Sequence, residues 1–494
     1  MVDRQNATVC VVGAGVSGLV TAKVLQRDGF DVTVFEKEAT IGGVWSPSRS
    51  YVGLGVQNPR EQYAFSDFSY PETADEFPAA GQVFDYLTSY TEHFGLEPHL
   101  ERSTEVLSVA RPVGEDAGSH PGFDVTVRPS DGSGGAETRA FDFVVVCNGV
   151  FSKPSVPDIE GRESFSGSVI HSSEMSNRGM LRGKRVVVVG AGKSALDCAS
   201  VAAHEAASST LVFRRPHWML PRYFPGETRV DQVFLTRFSE KMLPAYCRAS
   251  RPERVIRTVG APLLWLWRRG LSRVVSRVAG MPPEMVPEEP VTAGAENVGI
   301  GTEFYDVLGE GLADARRAGL RSFAGADTLQ LDTGEEVTAD LVIFATGWLQ
   351  DVSLLEPDLH AEVRRDGEFH LYRRILPPQE RRLGFVGYAS AANNVLTSEI
   401  SAHWLSECFL GELELPDPGT MEREIARMHE WARQVYPGRD EGYFVGGHVT
   451  SYVDELLQDL ELPTRRADSF YAEWFEPNSA DRYEGLGEER RVAR

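Results

Sequence analysis

Near the N-terminus a short apolar run, residues 8–12 (TVCVV), leads straight into Gly13-Ala14-Gly15-Val16-Ser17-Gly18. A helical apolar pattern through Leu19, Val20, Ala22, Val24 and Leu25 follows, and then a second strand-like run, residues 31–36 (DVTVFE), ends on Glu36. Few folds accommodate that order of pieces. Gly13 permits a tight strand-to-helix turn, Gly15 lets a pyrophosphate approach the backbone, and Gly18 lets helix and strand pack closely. The free N–H groups at the helix N-terminus would hold the pyrophosphate, and Glu36 would bind a ribose hydroxyl. A lone Gly-x-Gly-x-x-Gly is weak, because glycines make ordinary turns. Strand, glycines, helix, second strand and acid in this order specify a dinucleotide-binding unit.

The pattern recurs. Residues 184–199 (KRVVVVGAGKSALDCA) read as a strand, then Gly190-Ala191-Gly192-Lys193-Ser194-Ala195, then a helix. Alanine is an accepted third residue of the turn. The next strand, residues 210–213, ends in Arg214 and Arg215 rather than an acid. Arginine at that place accommodates a 2′-phosphate, so the second unit is expected to take NADPH and the first, with Glu36, FAD. The bland alternative is a solvated strand end.

A length of 494 residues suggests about three domains. The net charge of −22 disfavours nucleic acid or an acidic membrane surface as the main partner. The cysteines, Cys10, Cys147, Cys198, Cys247 and Cys408, contain no C-x-x-C, so neither a redox pair nor a metal site is expected. No apolar run approaches the roughly 20 residues that span a bilayer. With the first strand starting so early, no signal peptide fits, and a cytoplasmic location is expected.

The expected fold class is α/β with two Rossmann-like dinucleotide-binding domains, the NADPH domain inserted in the FAD domain. Residues 1–165 form the first part of the FAD domain. Residues 166–335 form the NADPH domain, with a helical insert at about 216–290. Residues 336–494 complete the FAD domain, with C-terminal helices and a polar tail after Asn478. Within this frame, residues 340–348 (DLVIFATGW) read as a buried strand, and a helix opens near Thr397-Ser398-Glu399. Its positive end would face the electron-rich edge of a flavin. Residues 51–71, aromatic and broken by Pro59 and Pro71, form a long loop of the kind that often carries function. In the insert, Leu271, Val274, Val275 and Val278 repeat at helical spacing among Arg269, Arg273 and Arg277. That pattern favours a helix packed on its own domain with solvated arginines, or a lid over the substrate passage, over contact with a membrane surface.

Several motifs in order resemble a flavin-containing monooxygenase of the class B type. They are the first glycine turn followed by Gly42-Gly43-Val44-Trp45, then Phe165-Ser166-Gly167-Ser168-Val169-Ile170-His171, which resembles the family's F-x-G-x-x-x-H fingerprint. The turn 190–197, Ala345-Thr346-Gly347-Trp348, Thr397-Ser398-Glu399 with Trp404, and residues 451–457 complete the set. Two departures stand out. Met175 replaces the Tyr or Phe that closes the fingerprint, and the Trp-Pro ending of the Baeyer–Villiger branch is absent. Lys193 stands where the family usually has Asn.

The resemblance implies an FAD-containing, NADPH- and O2-dependent monooxygenase forming a C4a-hydroperoxyflavin. One oxygen atom would pass to a soft nucleophile, an amine nitrogen or sulfide sulfur of a small molecule. A Baeyer–Villiger enzyme acting on a ketone is the alternative, and a nucleotide-sensing flavoprotein without catalysis is a more distant one. The resemblance places an active-site amide on Asn58, which on pattern alone is a turn residue before Pro59. The cofactor-binding set is then Gly13, Gly15, Gly18, Glu36, Gly43 and Trp45 for FAD, with Gly190, Gly192, Lys193, Ser194, Arg214, Arg215, Thr346 and Gly347. His171 is expected at a domain junction rather than as a base. A homodimer is left open.

Overall fold

The computed structural model describes residues 6–112, 122–248, 260–292, 298–438, 441 and 443–493. Parts of the expected insert therefore lie outside the described residues. Two five-stranded parallel sheets organise the rest. The first runs in the order Leu383–Phe385, Phe143–Val146, Thr8–Val12, Asp31–Phe35, Leu100–Glu101. Its central strand pairs Val9 to Val12 with Phe143 to Val146 on one side and Val32 to Phe35 on the other. Such a strand is covered on both faces, which is why Val9, Cys10 and Val11 are wholly buried and the sequence shows no polar alternation.

The second sheet has the order Asp314–Arg317, Ser208–Phe213, Arg185–Val189, Leu341–Phe344, Ser168–His171. It corrects one expectation. The buried run at residues 340–348 does not begin the return to the first unit; it pairs Leu341 to Phe344 in parallel with Val186 to Val189. A continuous apolar run says that a strand is buried on both faces but not which sheet buries it. The chain crosses between the units through a short antiparallel ribbon, Lys153–Pro154 against Trp348–Leu349. The crossings thus lie at 153–154 and 348–349 rather than at 165 and 335. Gly347 sits beside that ribbon, where its carbonyl accepts from the Ser155 N–H (2.9 Å) and from His171 Nε2 (3.1 Å). His171 is at the junction, as the sequence suggests.

Two helical expectations also shift. The helix assigned to the region of Thr397 begins three residues earlier, at Asn394–Leu410, because Asn393 caps it by accepting the Leu396 N–H at 3.1 Å. The polar tail after Asn478 is not a loose end. It forms a helix, Leu486–Ala493, that buries Arg490 against Asp28 of the first helix (2.7 Å) and Glu407. The alternation of Glu488, Glu489, Arg490 and Arg491 reads as solvated, and nothing in it marks one arginine for burial.

All three side chains of that ion cluster are at most 5% exposed. Removing the cation alone strands two carboxylates in low dielectric, a change that costs about 3–5 kcal/mol. Arg490→Met should therefore lower the midpoint of chemical unfolding substantially, while Arg491→Met, on the exposed side, should leave it unchanged. Equal midpoints for the two variants would show that the C-terminal helix does not hold the fold.

Candidate active site

The first glycine turn has the geometry its residues demand. Gly13 adopts φ +101°, and a Cβ on Gly18 would lie 1.8 Å from the Gly13 carbonyl oxygen. Neither place admits a side chain. Gly15 is different: its φ is −82°, and a Cβ would rest 3.6 Å from Gly43 Cα, an ordinary contact. Gly15 and Gly43 thus form the two walls of a cradle that is open because both lack side chains. No side chain caps the helix Val16–Arg27, so its N-terminal N–H groups remain available to a phosphate.

Glu36 is buried at the end of the neighbouring strand. Its carboxylate accepts from the Ala14 N–H (2.8 Å) and the Glu38 N–H (2.9 Å). Burial raises its pKa, and those two N–H donors oppose the rise. A carboxylate oxygen has more lone pairs than these two contacts use, so the group can both brace the turn and accept a ribose hydroxyl. Cradle, uncapped helix and braced acid fit FAD.

A second helix, Asn394–Leu410, lies parallel to the first. Contacts along the pair advance in step, with Ser17 Oγ to Ser398 Oγ at 2.9 Å, Lys23 to Glu399 at 3.6 Å, and Ser406 Oγ donating to Asp28 at 2.6 Å. Both N-termini, each carrying a partial positive charge, therefore meet at one edge of the site. The aromatic loop is fastened to this pair. Glu399 accepts both the Ser66 N–H (2.9 Å) and the Ser66 hydroxyl (2.8 Å), and Lys23 holds Asp67 at 3.1 Å. Asn58, on the same loop, donates its amide to the Ala392 carbonyl at 2.6 Å, one residue before the cap of the second helix. Trp45 does not present its N–H to a cofactor; it donates to Tyr63 of the loop at 2.9 Å.

The second glycine turn is equally tight. Gly190 adopts φ +148°, and a Cβ there would lie 2.3 Å from the Ala345 carbonyl oxygen. This brings the Ala345-Thr346-Gly347 motif against the turn, although the Thr346 hydroxyl is donated to the Ser155 carbonyl. Ser194 lies in the first turn of the helix Lys193–Glu205, whose N-cap is Gly192. Lys193 pairs with Asp197 one turn on, so its ammonium is engaged within the helix. Asp197 also accepts from the Tyr51 hydroxyl at 3.0 Å. Burial raises the Asp197 pKa and Lys193 works against it. Met175 fills the core of this unit, and its carbonyl accepts the Val52 N–H at 2.9 Å. Arg214 and Arg215 end their strand exposed and, among the described residues, without an ion pair, as a free phosphate site would require.

A protein-family model described as flavin-binding monooxygenase-like matches residues 6–257 and 315–464. The chain belongs to that family. It is 29% identical to dimethylaniline monooxygenase [N-oxide-forming] 2 of Rattus norvegicus, over 92% of this chain and 82% of the relative. Among solved structures it resembles the S-allyl-L-cysteine S-oxygenase from Allium sativum, with a TM-score of 0.61 and 19% identity over 99% and 93% of the two chains. It also resembles an oxidized steroid monooxygenase bound to NADP, with a TM-score of 0.68 and 18% identity over 92% and 98%. This family member is an FAD- and NADPH-dependent monooxygenase.

Sequence reasoning missed the roles of Lys23, Glu399, Tyr51 and Asp197. Lys23 carried a signal, since it interrupts the apolar run 18–25 on a helix buried nearly all round. Tyr51 and Asp197 carried none, because their contact spans 146 positions.

Three variants test the assignments. Gly15→Leu should give folded, colourless protein, because its Cβ meets the Gly43 backbone only at ordinary contact distance while the side chain occupies cofactor space. Gly18→Ala should lose both fold and colour; a Gly15→Leu protein with full FAD content would empty the cradle of meaning. Replacing Arg214 and Arg215 together with Ala should raise the Michaelis constant for NADPH about tenfold or more, from lost charge-assisted hydrogen bonds. The constant for NADH should barely move, and equal shifts would mean that these arginines do not read the 2′-phosphate.

Proposed function

We propose that the enzyme transfers one atom of O2 to an amine nitrogen or a sulfide sulfur of a small molecule. The observation that carries this reading is the buried Asn58 amide, fastened to the Ala392 carbonyl where two parallel helix N-termini converge. Bound FAD, once reduced by NADPH, supplies the oxygen activation. The chain's own part is to bind, orient and exclude water.

Each residue then has a task. Gly13, Gly15, Gly18 and Gly43 shape the FAD cradle, Glu36 takes a ribose hydroxyl, and Trp45 holds the loop through Tyr63. Gly190, Gly192 and Ser194 receive the NADPH pyrophosphate, with Arg214 and Arg215 at its 2′-phosphate. Lys193 acts through Asp197 in this arrangement, and Thr346 and Gly347 act through the crossing ribbon, so all three are positioning groups. The Asn58 amide has two N–H bonds, and Ala392 uses one; the other is available to a polar oxygen at the flavin. The helix ends favour electron density arriving at the same edge.

The N-oxide-forming rat relative and the garlic S-oxygenase support nitrogen or sulfur as the acceptor. Against the ketone alternative stands Met175, buried in the core where the Baeyer–Villiger branch continues with Trp-Pro. A panel of tertiary amines, sulfides and cyclic ketones, followed by mass spectrometry with NADPH, separates the readings. N-oxides and sulfoxides are expected, and lactones alone would overturn the proposal.

Asn58→Ala tests the amide. It should retain FAD and reduction by NADPH but release more hydrogen peroxide per NADPH consumed. Loss of one hydrogen bond in a dry site costs about 1–3 kcal/mol, a roughly ten- to hundredfold loss of coupled product formation. Unchanged coupling would return Asn58 to the status of a turn residue.

A further inference from the structure

The insert helix, Ala261–Val278, has two unlike faces. Its inner stripe runs through Leu264, Arg268, Leu271, Val275 and Val278, all at least half-buried. Arg268 donates to the Met242 carbonyl at 3.0 Å, and the Ser272 hydroxyl accepts the Val291 N–H at 3.0 Å, so the helix is docked on its own unit. That docking leaves the other face without a partner among the described residues. Trp265, Leu266, Trp267 and Val274 are 53%, 63%, 41% and 48% exposed. The periodicity places Val274 inward with Val275, yet only Val275 is fully covered.

Exposed on the same side are Arg269, Arg273 and Arg277, none of which makes an ion pair among the described residues. The Arg269 guanidinium lies 4.9 Å over the Trp265 ring. From residue 254 to residue 283 the sequence holds no aspartate or glutamate at all, in a chain whose net charge is −22. Two indoles and a leucine in water, ringed by cations and cleared of anions, need an occupant that is apolar beneath and anionic on top.

We propose that this face binds peripherally to the surface of an anionic lipid bilayer. Tryptophan settles at the boundary between headgroups and acyl chains, while arginine keeps its charge among the phosphates and covers apolar surface with its stem. The helix lies in the plane of the interface rather than across it. No helix among the described residues is long and apolar enough to cross a membrane. The acidic remainder of the protein does not forbid the contact. At physiological ionic strength charges are screened beyond about 8 Å, so the local arginines decide and the distant carboxylates do not. A second copy of the chain is a poorer occupant, because two such basic faces repel when packed on each other. A basic face set on an acidic flank leaves one of each unpaired and propagates without closure.

The test is flotation of the FAD-loaded enzyme with unilamellar vesicles of phosphatidylcholine, with and without phosphatidylglycerol. Wild type should float only with the anionic vesicles, and raised salt should release it. Trp265→Ala with Trp267→Ala should weaken binding about tenfold or more. Arg269→Glu, Arg273→Glu and Arg277→Glu together should weaken it about a hundredfold, at about 1 kcal/mol for each charge near the surface. Full FAD content and unchanged NADPH oxidation in both variants exclude misfolding as the cause. Quenching of wild-type fluorescence by brominated acyl chains should disappear in the tryptophan variant. Failure of wild type to float, binding indifferent to both sets of substitutions, or conversion of a dimer to a monomer by the tryptophan variant would each overturn the proposal.

Discussion

Lys23 and Glu399 meet at 3.6 Å where neither side chain is more than 3% exposed, and a charge left alone there would cost several kcal/mol. Burial raises the Glu399 pKa, and the Lys23 ammonium opposes that rise. The pair also spends its remaining valence on the aromatic loop. Glu399 takes two hydrogen bonds from Ser66, and Lys23 takes Asp67. One buried ion pair therefore fixes three things at once: the parallel alignment of two helices, the edge at which their N-termini meet, and the position of the loop that carries Asn58.

The nucleotide turns were legible in the sequence because their chemistry is local. Gly13, Gly18 and Gly190 occupy places where a Cβ would strike a carbonyl oxygen or adopt a disfavoured φ, and a short motif reports such constraints directly. Strand polarity at Glu36 and at Arg214 was legible for the same reason. Pairing was not. The strand Leu341–Phe344 looks the same whether it joins one sheet or the other, and only its register with Val186 to Val189 decides. The C-terminal helix was opaque because Arg490 finds its partner Asp28 across 462 positions. The outward face of the insert helix was half legible. Its periodicity marked a helix, but the side turned away from the protein depends on where Met242 and Val291 lie.

The loop between residues 51 and 77 is also where the two nucleotide units touch. Tyr51 reaches Asp197, Val52 reaches Met175, Gln57 accepts the Ile300 N–H at 2.8 Å, and Glu76 holds Arg229 at 3.0 Å. Met175 and Lys193, the two departures from the family pattern, both lie in this seam. Met175 contributes a backbone carbonyl, for which side-chain identity matters little beyond filling the core. Lys193 contributes a charge, and Asp197 conveys it to Tyr51. The lysine of the second glycine turn is thereby linked to the start of the aromatic loop.

The second unit leaves and re-enters the chain through one ribbon, Lys153–Pro154 against Trp348–Leu349. Its two ends are thus about one strand spacing, roughly 5 Å, apart. A segment whose ends lie that close is a cassette: it can be lifted out and replaced by another nucleotide-binding unit, or cut open elsewhere and rejoined at the ribbon, without stretching its host. The host sheet would not register the exchange, because none of its five strands belongs to the cassette. The seam along residues 51–77 would register it, and so would the C-terminal helices, where Arg237 pairs with Asp454 and Glu473, Glu240 accepts the Thr450 and Ser451 N–H groups, and Tyr246 donates to Glu455. Compatibility between an old host and a new coenzyme unit rests on both.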